Sequence, residues 1–90
     1  MELIFEWDNT KAKNNSEKHK VSFEEAATVF GDKNSITIND AEHSQEEKRY
    51  ITPGISANEN ILVVVHTDRG KHIRIISARK ASKKERKQYE

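Results

Sequence analysis

The 90-residue chain contains no cysteine, so no disulfide can staple it and no thiolate can hold a metal. No apolar run approaches the ~20 residues that cross a bilayer. Residues 1–7 are too short and too acidic to serve as a signal peptide. A soluble, cytoplasmic protein is therefore expected, with no membrane partner. Hydrophobic residues are also scarce: 33% suffices for one core and no more. Residues 1–90 are accordingly read as a single domain near the low end of stability. The four histidines, His19, His43, His66 and His72, show none of the short spacings of a zinc motif, and the strands offer few carboxylates beyond Glu6. Neither a metal nor another cofactor is expected.

Charge is plentiful and unevenly placed. The net charge of +1 hides 7 Lys/Arg against 12 Asp/Glu over residues 1–60, then 9 against 3 over residues 61–90. A polarised small domain suits a polyanion on its basic face, although a solvated C-terminal helix would show the same balance.

Apolar periodicity gives the element order βααββββα. Residues 3–7 alternate as a strand. Asp8 can cap a helix over 9–20 that has almost no apolar stripe. Ser22 and Glu25 form a capping box with Val21 as its staple, opening a helix over 23–30 that buries Phe23, Ala26, Ala27 and Phe30 and stops at Gly31. Strands follow over 35–39 and 48–55, the second carrying Pro53, which favours an edge or bulge. The most apolar run, 61–65, reads as a central strand joined by a turn over 68–71 to a hairpin partner over 72–78. Ser82 and Glu85 form a second capping box, opening a last helix to Tyr89. Short connections imply an α+β fold: an antiparallel sheet with the helices on one face.

Cleaving RNA without a metal requires a base for the 2′-hydroxyl, cations for the pentacoordinate phosphate and an acid for the 5′-oxygen. Histidine suits the proton transfers and arginine the phosphate. The loop after the 35–39 strand offers His43 with Asp40, Glu46, Glu47 and Arg49, so a carboxylate can orient the imidazole. The last strand and its exit offer Arg74, Arg79 and Lys80. Arg74 stands among isoleucines, where it must be paired or line a cleft; the structural alternative is an ion pair with Glu46, Glu47 or Asp40. His66 reads as a satisfied packing residue, and His19 and His72 have no local partner that singles them out. Trp7 reads as core. Lys83, Lys84, Arg86 and Tyr89 on the last helix are candidates to hold RNA, Tyr89 by stacking, unless that segment docks on the body.

The chain resembles the BrnT family of type II toxins over nearly its whole length. The likeness rests on Phe5-Glu6-Trp7-Asp8 with Lys11 and Asn15, on Lys18-His19 and Val21-Ser22-Phe23-Glu24-Glu25-Ala26, and on Asp40, His43, Glu47 and Arg49. It continues through Leu62-Val63-Val64-Val65, Arg74-Ile75-Ile76-Ser77-Ala78-Arg79, Glu85-Arg86 and Tyr89. The resemblance implies a RelE-like fold, metal-independent RNA cleavage and growth arrest. It also implies neutralisation by a BrnA-like ribbon-helix-helix antitoxin, with operator DNA bound only through the toxin–antitoxin complex. Two departures stand out: Lys20 replaces a glycine common in the family after Lys-His, and Pro53 interrupts a strand that usually runs on. The expected roles are phosphate binding by Arg49, Arg74 and Arg79, acid/base work by His43 oriented by Glu47, and flanking RNA contacts from Lys80, Lys83, Lys84, Arg86 and Tyr89. The contrasting expectation is a non-catalytic binding module, or an inactive toxin, on the same scaffold.

Overall fold

The computed structural model describes residues 2–43 and 47–89. Along the chain run β1 (Ile4–Glu6), α1 (Asn9–His19), α2 (Phe23–Thr28), β2 (Ile38–Asn39), β3 (Tyr50–Ile55), β4 (Ile61–Arg69), β5 (His72–Lys80) and α3 (Lys83–Tyr89). One-turn 3₁₀ helices span Val29–Gly31 and Ala41–His43. The second helix thus ends by tightening into a 3₁₀ turn, and Gly31 keeps a negative φ instead of supplying a left-handed cap.

The five strands form one sheet in the order β1-β5-β4-β3-β2. The sheet is mixed, not antiparallel as expected, because β1 lies parallel to β5. The βα connection through α1 and α2 carries the chain to the far edge, and the meander β2–β5 returns to meet β1. Glu6 is thereby set beside Arg74, and Ile4 beside His72.

One face of the sheet packs on α1 and α2. Val21, Phe23, Ala26 and Val29 meet Leu62, Val64, Ile75 and Ala78, all buried, with Trp7 edge-on to Phe23 at 5.9 Å. The helices do not all lie on this face. Gln88 and Tyr89 of α3 line a groove with Ile51, Pro53, Ile61 and Val63; strand alternation puts these on the face opposite Leu62 and Val64.

Three polar devices fix the frame. Buried Asn15 donates to the carbonyls of Val21 and Ala78 and accepts from the Ala78 amide, replacing the strand that β1 no longer supplies there. Ser22 caps α2 by accepting from Glu25 N–H, but the Glu25 carboxylate does not close the expected box. It accepts instead from Ser56 and Asn60, clamping α2 to the β3–β4 turn. Pro53 sits inside β3 without loss. Ile55 N–H bonds the Asp32 carboxylate, so by alternation the nitrogen of Pro53 also faces away from β4, where β2 has already ended.

A bulge in β5 decides where its arginines point. Val65 pairs with Ser77 and His66 with Ile75, so Ile76 is the extra residue. Residues five apart on a regular strand face opposite sides. The bulge rephases the strand, and Arg74 (opposite Thr67) and Arg79 (opposite Val63) share the face away from α1 and α2.

Candidate active site

The charged residues of the open face gather at the β4–β5 hairpin end. Register brings Arg69 opposite His72 and Thr67 opposite Arg74 across the hairpin, and Glu6 beside Arg74 on β1. The Glu6 carboxylate bridges two neighbours: Arg74 Nη1 donates to it at 3.1 Å, and His72 Nδ1 lies 3.4 Å away. Glu47 enters from the loop before β3 and accepts from Arg69. That bond lowers the Glu47 carboxyl below its ordinary range, with smaller help from the Thr67 hydroxyl and the Arg74 charge. The same bond raises the Arg69 guanidinium. Arg74 and His72 keep 43% and 48% of their side chains exposed, so a ligand can reach them. Beneath them the buried Thr67 hydroxyl makes no full hydrogen bond among the described residues.

The β3 side adds a second histidine–carboxylate pair. His43 Nδ1 lies 2.9 Å from Asp40 Oδ2, and the Asp40 amide donates to the Arg49 carbonyl at 2.8 Å. This anchors the His43 turn at the start of β3. Alternation from Tyr50, which pairs with His66, places Arg49 on the open face next to the Thr67 row. Two strand spacings, about 10 Å, separate the Arg49 and Arg74 positions. A row Arg49–Thr67–Arg74 thus runs across three strands, with His43–Asp40 at one side and His72–Glu6 at the other.

Several expectations change. The carboxylate orienting His43 is Asp40, while Glu47 is bonded to Arg69; Glu46 lies outside the described residues. Arg74 donates to Glu6, a residue 68 positions away, and acts on Glu47 through its charge. Arg79 does not join Arg49 and Arg74. It stands opposite Val63, about 13 Å of strand from the Thr67 row, and is held by both oxygens of Glu85 at 2.8 and 2.9 Å. Lys80 pairs opposite Leu62 on the helix-covered face, and its charge helps hold Glu25 ionised against the upward push of burial. Lys83, Lys84 and Arg86 are exposed on α3 at the same end as Arg79. The Tyr89 hydroxyl donates to Asp32, so this ring anchors α3 to the body. Burial, then Asp32, pushes that phenol up to about 12.

The sequence reading passed over His72, Arg69 and Glu6. Only the parallel β1–β5 pairing joins Glu6 to the hairpin, and no local spacing encodes it. Arg69 and His72 flank the two-residue hairpin turn and stand opposite each other, a placement that the turn signal in the sequence carries. His66 is the packing residue expected. It is fully buried between Thr52 at 2.7 Å and Asp68 at 2.6 Å, against Phe30 and Tyr50. Among the described residues no three His, Cys, Asp or Glu side chains group so as to hold a metal ion, and no helix is long and apolar enough to cross a membrane.

Fold and cluster together define a small α+β protein with arginines and carboxylate-oriented histidines on one reachable sheet face, a set suited to a phosphodiester. The family described as ribonuclease toxin, BrnT, of type II toxin–antitoxin system matches residues 7–85. The chain belongs to that family. Its fold is similar to the crystal structure of the Brucella abortus ribonuclease toxin BrnT, with a TM-score of 0.66 at 22% identity over 92% of this chain and 99% of that one. Comparison with curated protein sequences finds no match.

Proposed function

We propose that this chain is a metal-independent endoribonuclease of the RelE-like kind. In this reading it arrests growth in the cytoplasm until a BrnA-like ribbon-helix-helix antitoxin neutralises it, and it meets operator DNA only through that antitoxin. The supporting observation is the row Arg49–Thr67–Arg74 between two histidine–carboxylate pairs on an exposed face. In the reaction the 2′-oxygen attacks phosphorus, a base takes its proton, the P–O5′ bond breaks, and an acid returns a proton to the leaving oxygen. The products are a 2′,3′-cyclic phosphate and a 5′-hydroxyl. Arg49, Arg74 and Arg69 neutralise the charge gathering on the non-bridging oxygens. His72, two residues from Arg74 on the same strand and face, and His43, joined through Asp40 to the Arg49 backbone, are the proton carriers of the two ends of the row. Glu6 and Asp40 fix their rings, while Glu47 positions Arg69. Arg79, Lys83, Lys84 and Arg86 hold RNA further along, so binding weakens as salt rises.

The test is incubation with RNA in EDTA, with and without translating ribosomes, followed by mapping of the ends. New 5′-hydroxyl ends that persist in EDTA are expected. Cleavage abolished by EDTA, or RNA bound without cleavage in both settings, would contradict the proposal, the latter marking a binding module instead.

A further inference from the structure

We infer that the apolar groove between α3 and the β2 edge is a docking surface for the antitoxin, which lays an acidic segment with apolar side chains into it. The inference rests on membership of a toxin–antitoxin family and is independent of the roles assigned at the hairpin end. The groove, about 310 Å³, is floored by Ile36, Ile38, Ile51, Ile61 and Val63 and walled by Tyr89. Ile36 and Ile38 are 65% and 53% exposed, in a chain where apolar residues are scarce. A contiguous apolar floor left open on a small domain marks an interaction site. Among the described residues β2 pairs with β3 alone, so its outer side can accept another chain.

Charge selects the occupant. Glu85 and Gln88 line the groove with Tyr89, so helical spacing puts Lys84 and Arg86 on its flanks. The acidic residue of that wall, Glu85, is already neutralised by Arg79. An apolar floor between cationic flanks favours a partner that pairs apolar side chains with carboxylates. A second copy would set its own basic α3 against this one, and RNA has no aliphatic groups to offer five branched side chains. Such a partner covers Lys84 and Arg86 and inhibits by blocking the path of RNA, without entering the hairpin-end cluster.

The test pairs Ile38→Glu and Ile36→Asp with the purified cognate antitoxin in calorimetry, with circular dichroism melts to verify folding. Both sites are exposed, so the fold should hold. Burying an unpaired carboxylate in the groove should weaken antitoxin binding at least about 100-fold. RNA cleavage or growth arrest should stay at the unmodified level, so the variant toxin escapes neutralisation. Lys84→Glu should weaken antitoxin binding about tenfold. Antitoxin binding unchanged in both groove variants would overturn the inference. So would a dimer of the toxin alone that Ile38→Glu dissolves, which would make a second copy the occupant, or loss of RNA binding with antitoxin affinity intact. Calorimetry reads docking even if the chain cleaves no RNA, so failure here is distinct from failure of the proposed activity.

Discussion

Lys20 closes α1 with φ at 60°, a left-handed conformation in which a side chain costs about 1 kcal/mol relative to glycine. Its amide still bonds the Ser16 carbonyl at 2.9 Å, and the buried Val21 follows at once, so the turn is fixed by what comes after it. Lys20→Gly is expected to raise Tm by about 4–8 °C at unchanged activity, measured by thermal melting. His66 makes a second prediction at this scale. Burial lowers the affinity of its ring for a proton, and Asp68 only partly opposes that. The Asp68 carboxylate accepts from Nδ1–H, so Nε2 accepts from Thr52, whose own oxygen takes the Thr37 hydroxyl at 2.8 Å. A base whose folded pKa is depressed stabilises the fold fully above its unfolded value, about 6.5. That stabilisation is lost as pH falls further. Ring ¹⁵N shifts should therefore show His66 taking up its proton at lower pH than the same ring in the unfolded chain. A His66 that protonates at or above the unfolded value would contradict the buried chain.

Among the elements, α3 is the one held by named side chains instead of a shared core. Its capping box is reciprocal: Glu85 N–H donates to Ser82 Oγ at 3.2 Å, and Ser82 N–H to Glu85 at 2.7 Å. Arg79 and Tyr89 tie its two ends. Arg79, then the Ser82 amide, holds the Glu85 carboxyl down to about 2. A depressed carboxyl contributes its stability above the ordinary value near 4.5 and loses it as pH falls through 2. Protection factors of the α3 amides, corrected for the intrinsic exchange rate at each pH, should be highest at about pH 5–7 and fall between about pH 4.5 and 2, while Glu85→Gln should show the lower protection already at about pH 5–7. Arg79→Ala should likewise loosen α3 with little change in global stability, because a half-exposed pair is worth about 1 kcal/mol or less. If Arg79 also holds RNA, that variant will lose more cleavage than Glu85→Gln. Both caps, the turn between the hairpin strands and the apolar run of β4 were legible in the sequence, because each is written in neighbouring residues. The destination of the Glu25 carboxylate was not. A capping-box spacing says nothing of a turn more than 30 residues away that can compete for the same oxygens.

At the scale of the molecule, one topological fact separates the sequence reading from the structure: β1 runs parallel to β5. Alternation identified both strands, and the two-residue turn identified the β4–β5 hairpin, but periodicity carries no sense of direction between strands that are distant in the chain. That pairing brings Glu6 to His72 and Arg74, and the β5 bulge turns Arg79 onto the same face at the other end. The arginines were recognised by type, and Arg74 by its anomalous place in an apolar strand. The expected set joined Arg79 to Arg49 and Arg74; the division into a hairpin-end cluster and an α3 end was not legible. In the proposed reading chemistry belongs to the first, where exposure, oriented imidazoles and the buried Thr67 hydroxyl coincide, and binding to the second.

The most direct test of this division is the RNA cleavage rate of Arg74→Ala, an exposed-pair substitution that should leave the melting curve unchanged. Removing a cation from the developing phosphate charge should slow cleavage by about 10²–10³, with RNA affinity altered far less because α3 and Arg79 remain. A folded Arg74→Ala protein that cleaves RNA at the unmodified rate would show that the hairpin-end cluster is not where the phosphodiester breaks.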